Sequence, residues 1–444
     1  MIAAEEHKRV WRLAGPLIVS NVSVALLGIV DTAVVGHLQH AWYLGAVAIG
    51  SVVFDFLYWG MGFLRMGTTG VVAQIHGRQD NDGIRTALVH AGIVALAISA
   101  AILICRTPII TAGLYLIGGS EEVSHYAEIY IRWAIWGAPA VLVTMTLLGW
   151  LLGMQNAKAT LSVAVVVNLM NVTMDLVFVF GLHMDVRGVA LASVISQYCG
   201  LLLAALLVVR ELRHQAGHWH MPQILEAGRL WEFLVLNQNI FIRTICLIFA
   251  FAFFTRQGAR QGDMILAANA VLLNFQALMA LGLDGFANAA EALVGKAVGA
   301  GDRRSFVTSV KAAAWWSVIV ALCFSLAYAT GGKLFINLMT SISEVQLTGY
   351  QYLPWMIVSP LISVWCFLLD GIFIGATRSR EMRDMMLVST FLVFVPAWYV
   401  LQSLGNHGLW LAFMLFFAAR GASLAFASLK IEKAGGFVSI PQVN

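Results

Sequence analysis

A chain of 444 residues that is 60% hydrophobic and 11% charged, with a mean hydropathy of +0.82, cannot clothe a water-soluble surface. Soluble domains carry about 25% charged residues, so the composition excludes a cytosolic enzyme and indicates an integral membrane protein. The net charge of +4 and the scatter of its basic residues exclude a nucleic-acid-binding role, and the five cysteines (Cys105, Cys199, Cys246, Cys323, Cys366) form no CxxC pair and read as small buried residues without a disulfide framework.

Crossing a bilayer takes about 20 predominantly apolar residues. Such runs fall at 13–36, 44–70, 86–107, 125–150, 160–182, 188–210, 231–254, 265–295, 306–330, 346–375, 384–403 and 408–430, which predicts twelve transmembrane helices. The start, "MIAAEEHKRVWRLAGPL", is acidic, then basic, and lacks a small-residue cleavage site, so it reads as a retained terminus. Most of the 27 Lys and Arg residues alternate onto one side of these spans. Only Arg106, Arg187, Arg256, Arg260 and Lys333 fall on the other. The positive-inside rule then predicts both termini in the cytoplasm.

The sequence repeats itself. Val72, Gly77 and Asp80 in "VVAQIHGRQD" match Val294, Gly299 and Asp302 in "LVGKAVGAGD". Trp133 matches Trp355, and Gly149 and Gly153 match Gly371 and Gly375, always 222 residues apart. The expected organisation is a first half of six helices over 1–210, a polar cytoplasmic linker over 211–229, and a second half of six over 230–444. Two parallel six-helix repeats are a transporter architecture. No stretch matches the phosphate-binding G-x-x-x-x-G-K-[ST], and no nucleophile elbow, HExxH or Cys/His metal spacing occurs, so neither an enzyme nor an ATP-driven pump is expected. His214, His218 and His220 of the linker read as a solvated loop rather than a metal site.

The charges inside the spans carry the functional signal, because an ionised side chain at mid-bilayer costs about 2.5–3.5 kcal/mol or more. A buried carboxyl is pushed toward neutral pH and can then load and release a proton. In the first span Asp31 lies five residues before Gly36. In the fifth, Asp175 lies six residues before Gly181, at matching depth. Asn168, Asn171 and Asp175 are spaced i, i+3, i+7 and share one helix face. Candidates for substrate binding or secondary coupling are Asn168 of this stripe and, in the second half, Asp284, Glu291, Asp370 and Arg243. Arg243 could counter Asp284 or Glu291, while Asp370 and Glu291 could equally be interfacial partners of Arg378 and Lys296. Asp55 is a lone acid without a polar stripe. The acids are not mirrored by the repeat, since position 253, the counterpart of Asp31, is Phe253. Pro16 and Gly28 in the first span are candidates for a gating kink.

The motifs "VDTAVVGHL", "NLMNVTMD", "LDGFANAAEALVG" and "DGIFIGATRSREMRD", in this order on a six-plus-six repeat, resemble the multidrug and toxic compound extrusion (MATE) family in its DinF-type branch. The resemblance covers essentially the whole chain. It implies an all-α membrane protein with two lobes around a central cleft, located in a bacterial inner membrane and acting as a monomer. It assigns proton coupling to Asp31, with Asn171 and Asp175 completing a hydrogen-bonded cluster that a hydroxyl residue early on the sixth span joins. Ser193 stands there, where threonine is common in the family. Other branches place sodium-linked acids on the seventh and tenth spans, and the seventh span here carries no mid-membrane acid.

The resulting expectation is a proton-coupled antiporter of amphipathic, often cationic, drug-like compounds, in contact with membrane lipids and without cofactor or metal. The alternatives are a sodium-coupled exporter and a lipid-precursor flippase of the same architecture. A flippase cleft calls for deep arginines to hold a pyrophosphate, and few are present. A channel, the reading from another class, calls for symmetric polar rings.

Overall fold

The computed structural model describes residues 4–36, 40–224 and 226–438; for residues 29, 31–33, 35, 36, 41 and 180 it describes the backbone alone. Among the described residues the fold is all-helical. The helices are α1 (Ala4–Gly36), α2 (Ala41–Gly60), α3 (Phe63–Gly77), α4 (Asn81–Ile104), α5 (Arg106–Ile117), α6 (Glu121–Ala134), α7 (Ala138–Gly153), α8 (Ala157–Asp175) and α9 (Val186–His214). They continue with α10 (Met221–Ile224), α11 (Ala227–Ala259), α12 (Asp263–Gly299), α13 (Arg303–Met339), α14 (Ser343–Gly375), α15 (Ser379–Leu387), α16 (Val395–Leu401) and α17 (Gly405–Lys433). This follows from the apolar runs. In lipid every backbone N–H and C=O must be satisfied within the chain, and a helix does this locally. Span hydroxyls do likewise: Thr68 donates to the Leu64 carbonyl at 2.6 Å and Thr244 to that of Ile240 at 3.0 Å.

Eleven helical stretches among the described residues are long and apolar enough to cross a membrane. The last, Ser379–Lys433, has 55 residues. At about 1.5 Å per residue it is far longer than one ~30 Å crossing, and a 3-10 turn at Gln402–Leu404 breaks it. It therefore holds the two predicted spans 384–403 and 408–430, and the twelve predicted crossings are accounted for. Two others are built from two helices each. α2 and α3 form the predicted 44–70 span, and α6 and α7, joined by a 3-10 turn at Ile135–Gly137, form 125–150. α5 was not expected from the sequence.

The chain divides into two compact units, residues 19–234 and residues 1–18 with 235–444. They differ from the expected halves at two points. The linker groups with the first unit, and the start of α1 groups with the second. There Trp11 packs edge-on against Phe286 and Trp316, and the Trp316 indole N–H donates to His7 Nδ1 at 3.0 Å.

Each unit repeats the other's local geometry at the 222-residue offset. α3 and α12 end in the same way: the N–H groups of Gln79 and Gly301 reach back to the carbonyls of His76 and Val298, and those of Asp80 and Asp302 to Ile75 and Ala297. The side chains of Asp80 and Asp302 then cap the next helices, accepting from the Gly83 N–H at 2.8 Å and the Ser305 N–H at 3.0 Å. The bonds from Ser305 hold the Asp302 carboxyl below the usual carboxylate range. α7 and α14 end alike too, with Gln155 and Thr377 in the left-handed region at φ 64° and 54°. The matched glycines have one reason: a methyl on Gly149 would overlap the Arg65 carbonyl oxygen of α3, and one on Gly371 that of Ala287 of α12. Only glycine lets these helices cross so closely.

The second unit's core is aromatic. Phe254, Phe394, Trp410, Phe413, Phe416 and Phe417 are buried together. The expectation of buried cysteines holds for Cys246 and Cys366, whereas Cys199 is half-buried and Cys105 and Cys323 are exposed; all five thiols are free. Exposed apolar side chains are the norm on a lipid-facing surface, where burial from water is supplied by the bilayer.

Candidate functional site: one polar cluster in each unit

In the first unit, α8 starts at a cap, Asn156 accepting from the Ala159 N–H at 3.2 Å, and runs to Asp175. A π-helical stretch, Leu176–Gly181, follows immediately. Such turns are rare and cluster at functional sites. Asn171 and Asp175 are buried, and Asn168 and Ser193 are half-buried. The Asn171 amide donates to Ser193 Oγ of α9 at 3.3 Å, and the Asn168 amide donates to Ser23 Oγ of α1 at 2.6 Å. The stripe predicted on α8 is therefore oriented inward and engages helices on both sides. Ser23 was not foreseen. The signal was present: Ser20, Ser23 and Asp31 are spaced i, i+3, i+11, close to whole turns of one face, and Ser20 is buried. The Asp31 side chain lies outside the described residues; its backbone belongs to α1. Asp55 is exposed on α2. Pro16 lies inside α1 without ending it, and a methyl on Gly28 would meet nothing within 4 Å.

The second unit holds a different arrangement. Asp370 of α14 accepts from Arg243 of α11 at 2.8 Å and from Arg420 of α17 at 2.7 Å, through the same carboxylate oxygen. Both guanidinium groups are buried, with side chains 6% and 5% exposed. The Arg420 guanidinium also lies over the rings of Phe416 and Phe417 at 5.4 and 5.7 Å. One expectation is corrected here and one is extended. Arg243 makes an ion pair with Asp370, a partner the sequence did not indicate, and Asp284 is within electrostatic range of both arginines. Asp370 does not pair with Arg378, which reaches Glu381 instead. The physical reason is charge balance. Two buried guanidinium groups need carboxylates within the same low-dielectric space, and Asp370 with Asp284 supplies two. Glu291 is buried on α12. Toward the helix ends, Asn239 donates to Ser379 at 3.1 Å and accepts from Arg383 at 2.9 Å. No group of three or more metal-ligating side chains occurs among the described residues.

The linker is not a free loop. Arg85 at the start of α4 donates to the carbonyls of Leu212, Gln215 and Ala216, and Asp82 accepts from the His218 N–H at 2.6 Å and pairs with His220 at 3.0 Å.

A duplicated six-helix membrane fold with buried polar clusters inside its spans is that of a secondary transporter. Comparison with known proteins narrows the class. The family model described as MatE matches residues 16–177 and 240–400, and the chain belongs to that family, which comprises transporters and not enzymes. It is 44% identical over 420 residues to "DNA damage-inducible protein F" of Escherichia coli K12, covering 94% of this chain and 91% of that one. It is 25% identical to the human "Multidrug and toxin extrusion protein 1", covering 91% of this chain and 71% of the relative. Among solved structures, an outward-facing multidrug resistance MATE family transporter superposes with TM-score 0.87 at 19% identity, over 96% of each chain. A Vibrio cholerae MATE transporter superposes with TM-score 0.87 at 18% identity, over 98% and 99%. The fold is thus the two-lobed MATE fold, and the protein is a multi-pass membrane transporter of the MATE efflux family.

Proposed function

We propose that the protein exports amphipathic, often cationic, organic compounds from the cytoplasm in exchange for protons, with Asp31 and Asp175 as the coupling acids. The observation that carries this reading is the inward stripe of α8: Asn171 and Asp175 buried beside Ser193, directly before a π-helical turn. A carboxyl in such surroundings changes the charge inside the span by one unit when it takes up or gives up a proton. Protonation removes the charge that attracts a cationic substrate, and a proton can drive release only through such a difference between states. The second unit supports placing the coupling in the first. Its Asp370 carboxylate is already answered by two resident guanidinium groups and needs no further cation to balance it. The relatives named for multidrug extrusion and multidrug resistance support the substrate class, and the inner membrane of a bacterium is the location that fits the Escherichia coli relative.

In inverted vesicles an imposed pH gradient should drive accumulation of ethidium, a lipophilic cation. Asp31→Asn and Asp175→Asn should each abolish it at unchanged expression. Transport that persists in Asp31→Asn, or that follows a sodium gradient alone, overturns the reading.

A further inference from the structure

The two polar stripes of the first unit meet at Ser23 and Asn168. Ser23 on α1 precedes Asp31 by eight residues, and Asn168 on α8 precedes Asp175 by seven. At about 1.5 Å per residue, both lie some two turns, roughly 10–12 Å, along their helices from the acids. Ser23 accepts a hydrogen bond from Asn168 at 2.6 Å, so the helices are tied at this level. One soft point of α1 lies before the tie. Pro16, seven residues before Ser23, removes one backbone hydrogen bond. Ser20, one turn before Ser23, is buried.

We propose that Ser23 is a positioning residue for transport. Its hydrogen bond to Asn168 pins the middle of α1 to α8, so that the acid-bearing ends of α1 and α8 are held in register. The side chains involved suit the task. A short hydroxyl and an amide in an apolar surrounding have few other partners, and a polar rung between transmembrane helices fixes their register as well as their distance. Nothing in the rung itself titrates, so the tie holds whatever the protonation state of the acids. The inference rests on the coupling reading for the use made of the register, but not for the tie itself.

Two measurements decide it. In a background with the five cysteines replaced, spin labels on the exposed positions Leu26 of α1 and Leu169 of α8 report the distance between the helices. Ser23→Ala should broaden that distribution, and Ser23→Thr, which keeps the hydroxyl, should leave it narrow. An unbroadened distribution in Ser23→Ala overturns the tie. In proteoliposomes with an imposed pH gradient, Ser23→Ala should lower the maximal rate of ethidium transport about tenfold, the factor equal to one lost hydrogen bond of ordinary strength. KM should stay within about twofold, because the substrate's own contacts are untouched. Asn168→Ala should do the same and the double variant no worse than either, with Ser23→Thr restoring the rate. Rates that fall additively, or KM and rate that move together, overturn the positioning role. Transport that survives Asp31→Asn counts against proton coupling alone, since the label distances do not depend on it.

Discussion

At the level of single residues, the Arg243–Asp370–Arg420 cluster is the site where one change should cost most. Asp370→Asn leaves two buried guanidinium groups facing a neutral amide. Breaking a buried pair in this way costs about 3–5 kcal/mol, so thermal unfolding in detergent should show a large drop. Adding Arg420→Gln should recover part of it by restoring the balance with Asp284. If Asp370→Asn unfolds at the wild-type temperature, the cluster is not the anchor of α11, α14 and α17 that its geometry indicates. Arg420→Lys should not substitute fully, because a lysine cannot keep both the carboxylate contact and the planar stacking on Phe416 and Phe417. Little of this was legible in the sequence. Depth along the tenth span placed Asp370 near Arg378, its sequence neighbour, whereas its partners lie 127 and 50 residues away. Choice among partners so distant is a property of how helices pack, and spacing within one helix is silent about it. The α8 stripe was legible for the opposite reason: Asn168, Asn171 and Asp175 share a face by helical periodicity alone, and only their recipients, Ser23 and Ser193, depended on neighbouring helices.

At the level of elements, the 222-residue repeat makes matched tests available. Gly149 and Gly371 hold equivalent helix crossings, with a carbonyl oxygen in each case where a methyl group would sit. Alanine at either position forces the helices apart, and overpacking of this kind costs about 1–3 kcal/mol; equal losses in thermal stability at the two sites are the expected outcome. Helix ends give the reverse sign. Thr377 is a β-branched residue at φ 54°, whereas Gly301 occupies φ 69° at the end of α12. A left-handed backbone costs a residue with a Cβ about 1–2 kcal/mol, and glycine's extra freedom in the unfolded chain returns about 0.4–1 kcal/mol of that. Thr377→Gly should therefore stabilise by up to about 1 kcal/mol, and Gly301→Ala should destabilise. A Thr377→Gly variant that melts lower would mean that the hydroxyl contact to the Ala376 carbonyl outweighs the strain. The elements were the most readable level of this protein. Lipid forces every apolar run of sufficient length into a helix, and the glycine matches that revealed the repeat are the ones that backbone contact demands. The breaks inside runs, at Met61–Gly62 and Ile135–Gly137, and the short α5 were not readable, because hydropathy does not change across them.

For the whole molecule, the sequence and the structure make a joint statement about the segment between the repeats. Read as sequence, 211–229 is a polar linker on the side that the basic residues mark as cytoplasmic. In the structure it is fastened to α4: Arg85 caps the carbonyls of Leu212, Gln215 and Ala216, Asp82 engages His218 and His220, and His90 Nε2 lies 2.9 Å from the Ile224 carbonyl. The Leu212 carbonyl belongs to the last turn of α9, where it also accepts from the Gln215 N–H, so the fastening steadies the end of the helix as well. Removing that one side chain should loosen the segment without touching either polar cluster. Trypsin provides the readout, since Arg213 and Arg229 are exposed on either side of it. In inverted vesicles Arg85→Ala should be cleaved in the linker several-fold faster than the parent protein, because cleavage follows the population of the locally open state. In intact spheroplasts neither protein should be cut there. Equal cleavage of the two proteins in inverted vesicles would show that the linker is held by something other than Arg85, and cleavage from the outside would reverse the topology read from the basic residues.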